Sequence, residues 1–126
     1  MKKYPQNETN TMKTLEPKDP SSEQLQSIIN LYTQGQLQEA LFHTTEMLEQ
    51  FPNSTVLFNF AGASNAGLMQ FNAAIDSYKQ AIKIKPDYAE AFFNMGVALK
   101  DKGDLDAAID SYKQAIKIKP DYTEAF

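Results

Sequence analysis

The chain has 126 residues, 42% hydrophobic and 22% charged, with a formal net charge of −4, a balance ordinary for one soluble globular domain or a part of a larger protein. It has no cysteine and one histidine, His43, which excludes disulfides, thiol nucleophiles, thiolate metal sites and imidazole clusters. All twelve basic residues are lysine; without the guanidinium fork, and with an acidic balance, nucleic acid is a poor partner.

No apolar run approaches the roughly 18–20 residues that span a bilayer. Tyr4-Pro5-Gln6-Asn7 stands where a secretory leader would need an apolar stretch. The expectation is a cytoplasmic protein with no membrane partner and no cofactor. Residues 1–20 hold Pro5, Pro17 and Pro20 among Asn and Thr and read as a disordered N-terminal arm. Tyr4, Met12 and Leu15 are the side chains by which it would fold back onto the body.

Helical periodicity begins after the capping residues Ser21-Ser22, with Leu25, Ile28, Ile29 and Tyr32 at helical spacing until Gly35. Leu37, Ala40, Leu41, Leu48 and Phe51 mark a second segment that Pro52 ends. The alternation returns with helices over about 55–67 and 71–84, ended by Pro86. It returns again over about 89–101 and 105–118, ended by Pro120. Strand alternation is missing, so the fold class is all-α.

The thirteen letters DSYKQAIKIKPDY occur at 76–88 and again at 110–122, a period of 34 residues. Identity extends back to Ala73-Ala74 over Ala107-Ala108 and resumes at Glu90-Ala91-Phe92 over Glu124-Ala125-Phe126. The same step aligns Pro52, Pro86 and Pro120, and sets Gly35 over Gly103.

A helix-turn-helix unit of this period resembles the tetratricopeptide repeat, whose pattern is W-x₂-L-G-x₂-Y, then A-x₃-F, then P. The third unit carries Phe92, Met95-Gly96, Leu99, Ala108, Tyr112 and Pro120. The second carries Phe58, Ala61-Gly62, Asn65, Ala74, Tyr78 and Pro86; the first, more loosely, Gln24, Ser27-Ile28, Leu31, Ala40, Thr44 and Pro52. The resemblance covers about 21–126. It implies an α-solenoid of three repeats (about 21–54, 55–88 and 89–122) with a fourth begun at 123–126, stacked as a right-handed superhelix.

Departures from that pattern carry expectations. Gly62 and Gly96 cost about 1 kcal/mol each mid-helix, which makes sense if the paired helix approaches bare backbone, with Ala40, Ala74 and Ala108 opposite. Ile28 in the glycine position should hold the first hairpin further apart. Met69 stands where Gly35 and Gly103 end their helices. Because a left-handed Met costs about 1–2 kcal/mol, Gly67 is expected to take over part of that turn. Thr44 and Asn65 replace apolar residues and are expected to hydrogen-bond each other.

The duplicated lysines (Lys79, Lys83, Lys85 and Lys113, Lys117, Lys119), with Asp76 and Asp110, read as a solvated outer face. The leading helices differ between units, and there specificity can be encoded. Stacks of this kind imply an inner wall on which a peptide or partner helix docks. The candidate groove is Leu25, Ile29 and Tyr32 in the first unit, Val56, Asn59 and Phe60 in the second, and Phe93, Asn94 and Val97 in the third. Asn94 has the donors and acceptor to grip a ligand backbone.

Some members of the family clamp a partner's C-terminal carboxylate with Lys, Asn and Arg. Here Leu25, Ile29, Glu90 and Asn94 occupy most of the relevant places, so an apolar or amphipathic protein segment is the expected partner. Binding rather than catalysis is expected of these residues. Two alternatives stand beside it. One is the N-terminal scaffold of a larger enzyme, sulfotransferase- or glycosyltransferase-like. The other is homo-oligomerisation through the C-terminal face, since the last full helix is a copy of an internal one and Tyr122–Phe126 supplies only about a turn to cover it.

Overall fold

Each helix end follows from a local backbone constraint. The computed structural model describes residues 17–121. Within them lie six α-helices: α1 (Ser22–Thr33), α2 (Leu37–Gln50), α3 (Thr55–Gly67), α4 (Phe71–Ile84), α5 (Ala89–Lys102) and α6 (Leu105–Ile118). No strand occurs among the described residues. The expectations for Tyr4, Met12 and Leu15 and for a fourth repeat at 123–126 lie outside them.

Three of the six helix starts use short oxygen-bearing side chains. Ser21 caps α1 in a full capping box, its Oγ accepting from Gln24 N–H while the Gln24 side chain accepts from Ser21 N–H. Ser54 and Asp104 cap α3 and α6 by accepting from the N–H groups of Leu57 and Ala107. The second helix of every hairpin ends two residues before a proline. Phe51, Lys85 and Lys119, each preceding Pro, have ψ of 68°, 88° and 95°. A following proline ring disfavours the helical ψ there.

The turn inside each hairpin is the same structure three times. The N–H groups of Gln36, Gln70 and Asp104 donate back to the carbonyls of Leu31, Asn65 and Leu99 at 2.9, 2.8 and 2.8 Å. This closure needs a left-handed residue one position earlier. Gly35 and Gly103 supply it with φ of +79° and +98°, and Met69 supplies it with φ of +62°. The expectation that Gly67 would relieve Met69 is therefore overturned. Gly67 stays helical as the last residue of α3, and its missing side chain has another use: a Cβ there would lie 2.5 Å from Leu37 Cδ1 on α2.

Gly62 and Gly96 are close-approach sites, as read from the sequence, but what approaches is an aromatic ring. A Cβ on Gly62 would meet Tyr78 Cδ1 at 2.6 Å, and one on Gly96 would meet Tyr112 Cε1 at 2.5 Å. Ala40, Ala74 and Ala108 are all buried. The first hairpin inverts the arrangement, with bulky Ile28 on the leading helix and small Thr44 on the return helix, both fully buried. Its two helices also touch each other less than the helices of the other hairpins do.

Thr44 and Asn65 do not bond each other. Each donates to a carbonyl one turn back in its own helix, Thr44 Oγ1 to Ala40 at 2.7 Å and Asn65 Nδ2 to Ala61 at 2.9 Å. That local bond is always within reach of such side chains and needs no partner across an interface.

The core runs through the second and third hairpins: Ala74, Ile75, Tyr78, Ala98, Leu99, Ala108 and Tyr112 form one buried cluster. Consecutive helices pack on one another, and α3 also touches α5 directly. The leading helices thus lie side by side. Upstream of α1, Pro20 is buried and Asp19 Oδ1 accepts a 2.5 Å hydrogen bond from Ser54 Oγ. The stretch read as arm is therefore joined to the start of α3 from Asp19 onward.

Candidate functional site

Side-by-side packing of α3 and α5, with the end of α1 beside them, leaves a groove of about 550 Å³. Apolar side chains come first because they line the facing stripes: Phe60 from α3, Phe93 and Val97 from α5, and Tyr32 from α1. Ala63, Ala66 and Gly67 keep the α3 side shallow. Phe93 stacks at a tilt on Tyr112, ring centroids 5.8 Å apart, which ties the groove to the core.

Polar groups are organised across the two helices. Asn94 Nδ2 donates to Asn59 Oδ1 at 3.1 Å, and Asn59 Nδ2 donates to Glu90 Oε1 at 3.0 Å. Asn59 is 8% exposed, so these bonds satisfy an amide that burial would otherwise penalise. Asn94 was read as a grip for ligand backbone; one of its N–H groups is engaged by Asn59, which leaves its carbonyl oxygen to accept. Tyr78 reaches the groove from α4. Its phenol is held protonated far above the ordinary range, by burial first and then by Tyr32 and Glu90 beside it.

Of the nine candidate residues, the structure brings six together: Tyr32, Asn59, Phe60, Phe93, Asn94 and Val97. Leu25, Ile29 and Val56 do not line this groove and are half-buried on α1 and the first turn of α3. Glu90 and Asp101 line it too; helical spacing puts them on the same α5 stripe as Phe93 and Val97, though they stand outside the nine. Tyr78, the aromatic of the repeat pattern in the second unit, joins them from α4.

A larger hollow, about 640 Å³, lies among α4, α5 and α6. Its walls carry Asp76 and Lys79 from one copy of the duplicated stretch and Asp110 and Gln114 from the other. Chemistry built from duplicated letters recurs in both units that carry them. Apart from Tyr78 and Glu90, the α3–α5 groove is lined by letters that differ, and it is the better candidate despite its smaller volume. No helix of the described residues is long and apolar enough to cross a membrane.

The architecture is that of a helical-repeat stack, and sequence comparison identifies the repeat. A family described as "TPR repeat" matches residues 70–103 and one described as "Tetratricopeptide repeat" matches residues 89–122. Residues 70–122 are thus tetratricopeptide repeats.

Over 76 residues, 60% of this chain, it is 33% identical to a probable UDP-N-acetylglucosamine–peptide N-acetylglucosaminyltransferase SEC of Arabidopsis thaliana, and spans 8% of that protein. Among solved structures, MamA superposes with a TM-score of 0.77 at 25% identity, covering 81% of this chain and 60% of MamA. The first TPR of Spaghetti (RPAP3), bound to the HSP90 peptide SRMEEVD, superposes with a TM-score of 0.76 at 22% identity, covering 79% of each chain.

Proposed function

We propose that this chain is a protein-interaction module that takes a segment of another protein in the α3–α5 groove by shape and burial, without chemistry. The observation that carries this reading is the convergence of Phe60 and Phe93, from two different repeats, on one hollow whose polar edge is the Asn59–Asn94 pair. Aromatic anchors in a concave, partly desolvated site are the usual source of binding energy. That a structurally similar TPR holds a peptide supports the class of partner.

Capture of the partner should weaken about tenfold or more for Phe60→Ala or Phe93→Ala and stay unchanged for Lys79→Ala on the outer face. Equal effects of all three would place the site elsewhere.

A second reading, the scaffold of a larger enzyme, is favoured by the similarity to a short part of a glycosyltransferase. A reading frame that continues into a catalytic domain would support it. Exposed Leu105 and Ile109 on α6 favour a self-assembling end face, which light scattering over a concentration series tests.

A further inference from the structure

We infer that the segment this groove takes is basic: a stretch of polypeptide with apolar side chains at its centre and lysine or arginine on either side. The inference rests on the reading of the groove as a docking site and adds the charge of its occupant.

The charge lining the groove has one sign. Glu90 and Asp101 are its charged lining residues, and no lysine among the described residues lines it. The described lysines stand on α4 and α6 and the turns after them, at the end of α5, and at Lys18 before α1. Of the two lysines that flank Asp101 in sequence, Lys102 lines the outer hollow instead and Lys100 lines neither.

Geometry sets the two acids at opposite ends of one stripe. Asp101 lies eleven positions after Glu90, which at 100° per residue returns to nearly the same face and at 1.5 Å per residue spans about 16 Å. Phe93, Asn94 and Val97 lie between them. Both carboxylates are exposed at the rim, yet their field reaches inward. After burial, Glu90 contributes to holding the Tyr78 phenol protonated, and Asp101 does the same for Tyr112.

An occupant that covers Phe60 and Phe93 therefore passes beneath a carboxylate at each end. A like-charged segment meets repulsion twice, and a basic one is steered in and held. This is the opposite sign from the acidic peptide SRMEEVD seated on the Spaghetti TPR.

The test uses the full chain and three labelled peptides that share a Leu-Phe-Leu centre and carry lysine, glutamine or glutamate at both ends, read by fluorescence anisotropy at low salt. The lysine peptide should bind about five- to tenfold tighter than the glutamine one, as expected for two exposed charge pairs. The glutamate peptide should bind weakest, and added salt should shrink the differences. Glu90→Gln with Asp101→Asn should bring the lysine peptide to the glutamine level. Phe60→Ala should weaken both, and Asp110→Asn on the outer face should change neither.

Tighter binding of the glutamate peptide, still lost in Phe60→Ala, overturns the charge and leaves the groove. A lysine preference that survives Glu90→Gln with Asp101→Asn, or is lost in Asp110→Asn, places the charge elsewhere and overturns the proposal. No peptide bound at all sinks the docking reading with it. Self-association that Phe60→Ala abolishes, with no peptide bound, makes a second copy the occupant and equally overturns a basic partner.

Discussion

The ring of Tyr78 fills the space that a side chain on Gly62 would need. A Cβ there would stand 2.6 Å from Cδ1 of a residue only 2% exposed, so neither partner has room to yield. Alanine in place of Gly62 gains about 1 kcal/mol of helix propensity, but overpacking a rigid buried ring costs about 1–3 kcal/mol. The prediction is that Gly62→Ala lowers stability, measured by urea unfolding, despite the better helix former. Equal or higher stability would show that the ring moves freely.

The first hairpin suggests a sharper form of that experiment. At the same two positions it carries Ile28 and Thr44, which exchanges a small-large pair for a large-small one. Gly62→Ile and Tyr78→Thr should each be strongly destabilising, the first by a clash and the second by a cavity. Together they should cost less than their sum, with a coupling of about 1–3 kcal/mol. Strict additivity in the double-mutant cycle would mean that the hairpins do not share one packing solution.

How far these contacts were legible in the sequence depends on the range of their causes. Pro52, Pro86 and Pro120 act on the residue before them, so the ends of α2, α4 and α6 were readable. The 34-residue register put Gly62 beside its partner helix for the same reason: repetition turns a distant contact into a local rule. Met69 was misjudged because single-residue strain of about 1–2 kcal/mol was set against a neighbouring glycine. It should have been set against the hydrogen bond that Gln70 gains by closing the turn. The Asn59–Asn94 and Asn59–Glu90 bonds were invisible, since they join residues 35 and 31 apart whose directions are fixed only once α3 and α5 are packed.

Met69 offers a stabilising change for that reason. It holds φ of +62° and is 74% exposed, so little packing is lost with its side chain. Met69→Gly should raise stability by about 1 kcal/mol, the left-handed penalty less the greater freedom of glycine in the unfolded chain. A fall in the unfolding midpoint would mean that Met69 is held by contacts outweighing its backbone strain.

The Tyr78 phenol gives a pH signature. Burial, with Tyr32 and Glu90 beside it, raises its pKa above the ordinary value of 10.0. Since the folded value exceeds the unfolded one, its contribution to stability is constant below about pH 10 and is lost as pH rises from there toward the folded value. The stability of wild type minus that of Tyr78→Phe should therefore be flat to about pH 10 and then decline by up to about 1.4 kcal/mol per pH unit. Parallel curves for the two proteins from pH 9 to 11 would contradict the burial of the hydroxyl.

Ile75 and Ile109 occupy the same place in two copies of one sequence, yet Ile75 is 5% exposed and Ile109 is 44% exposed. What separates them is position in the stack, because Ile75 has a following hairpin packed against its helix and Ile109 faces outward. Truncation of a buried isoleucine costs about 2–5 kcal/mol, whereas an exposed one has little apolar area to give back. Ile75→Ala should thus be severely destabilising and Ile109→Ala should shift stability by less than about 1 kcal/mol. Extending the chain with a second copy of the α5–α6 sequence should cover Ile109 and raise the cost of its truncation toward that of Ile75. If the cost at Ile109 stayed small in the longer protein, identical letters would not be building identical interfaces, and the stacking rule that places Phe60 beside Phe93 would fail with them.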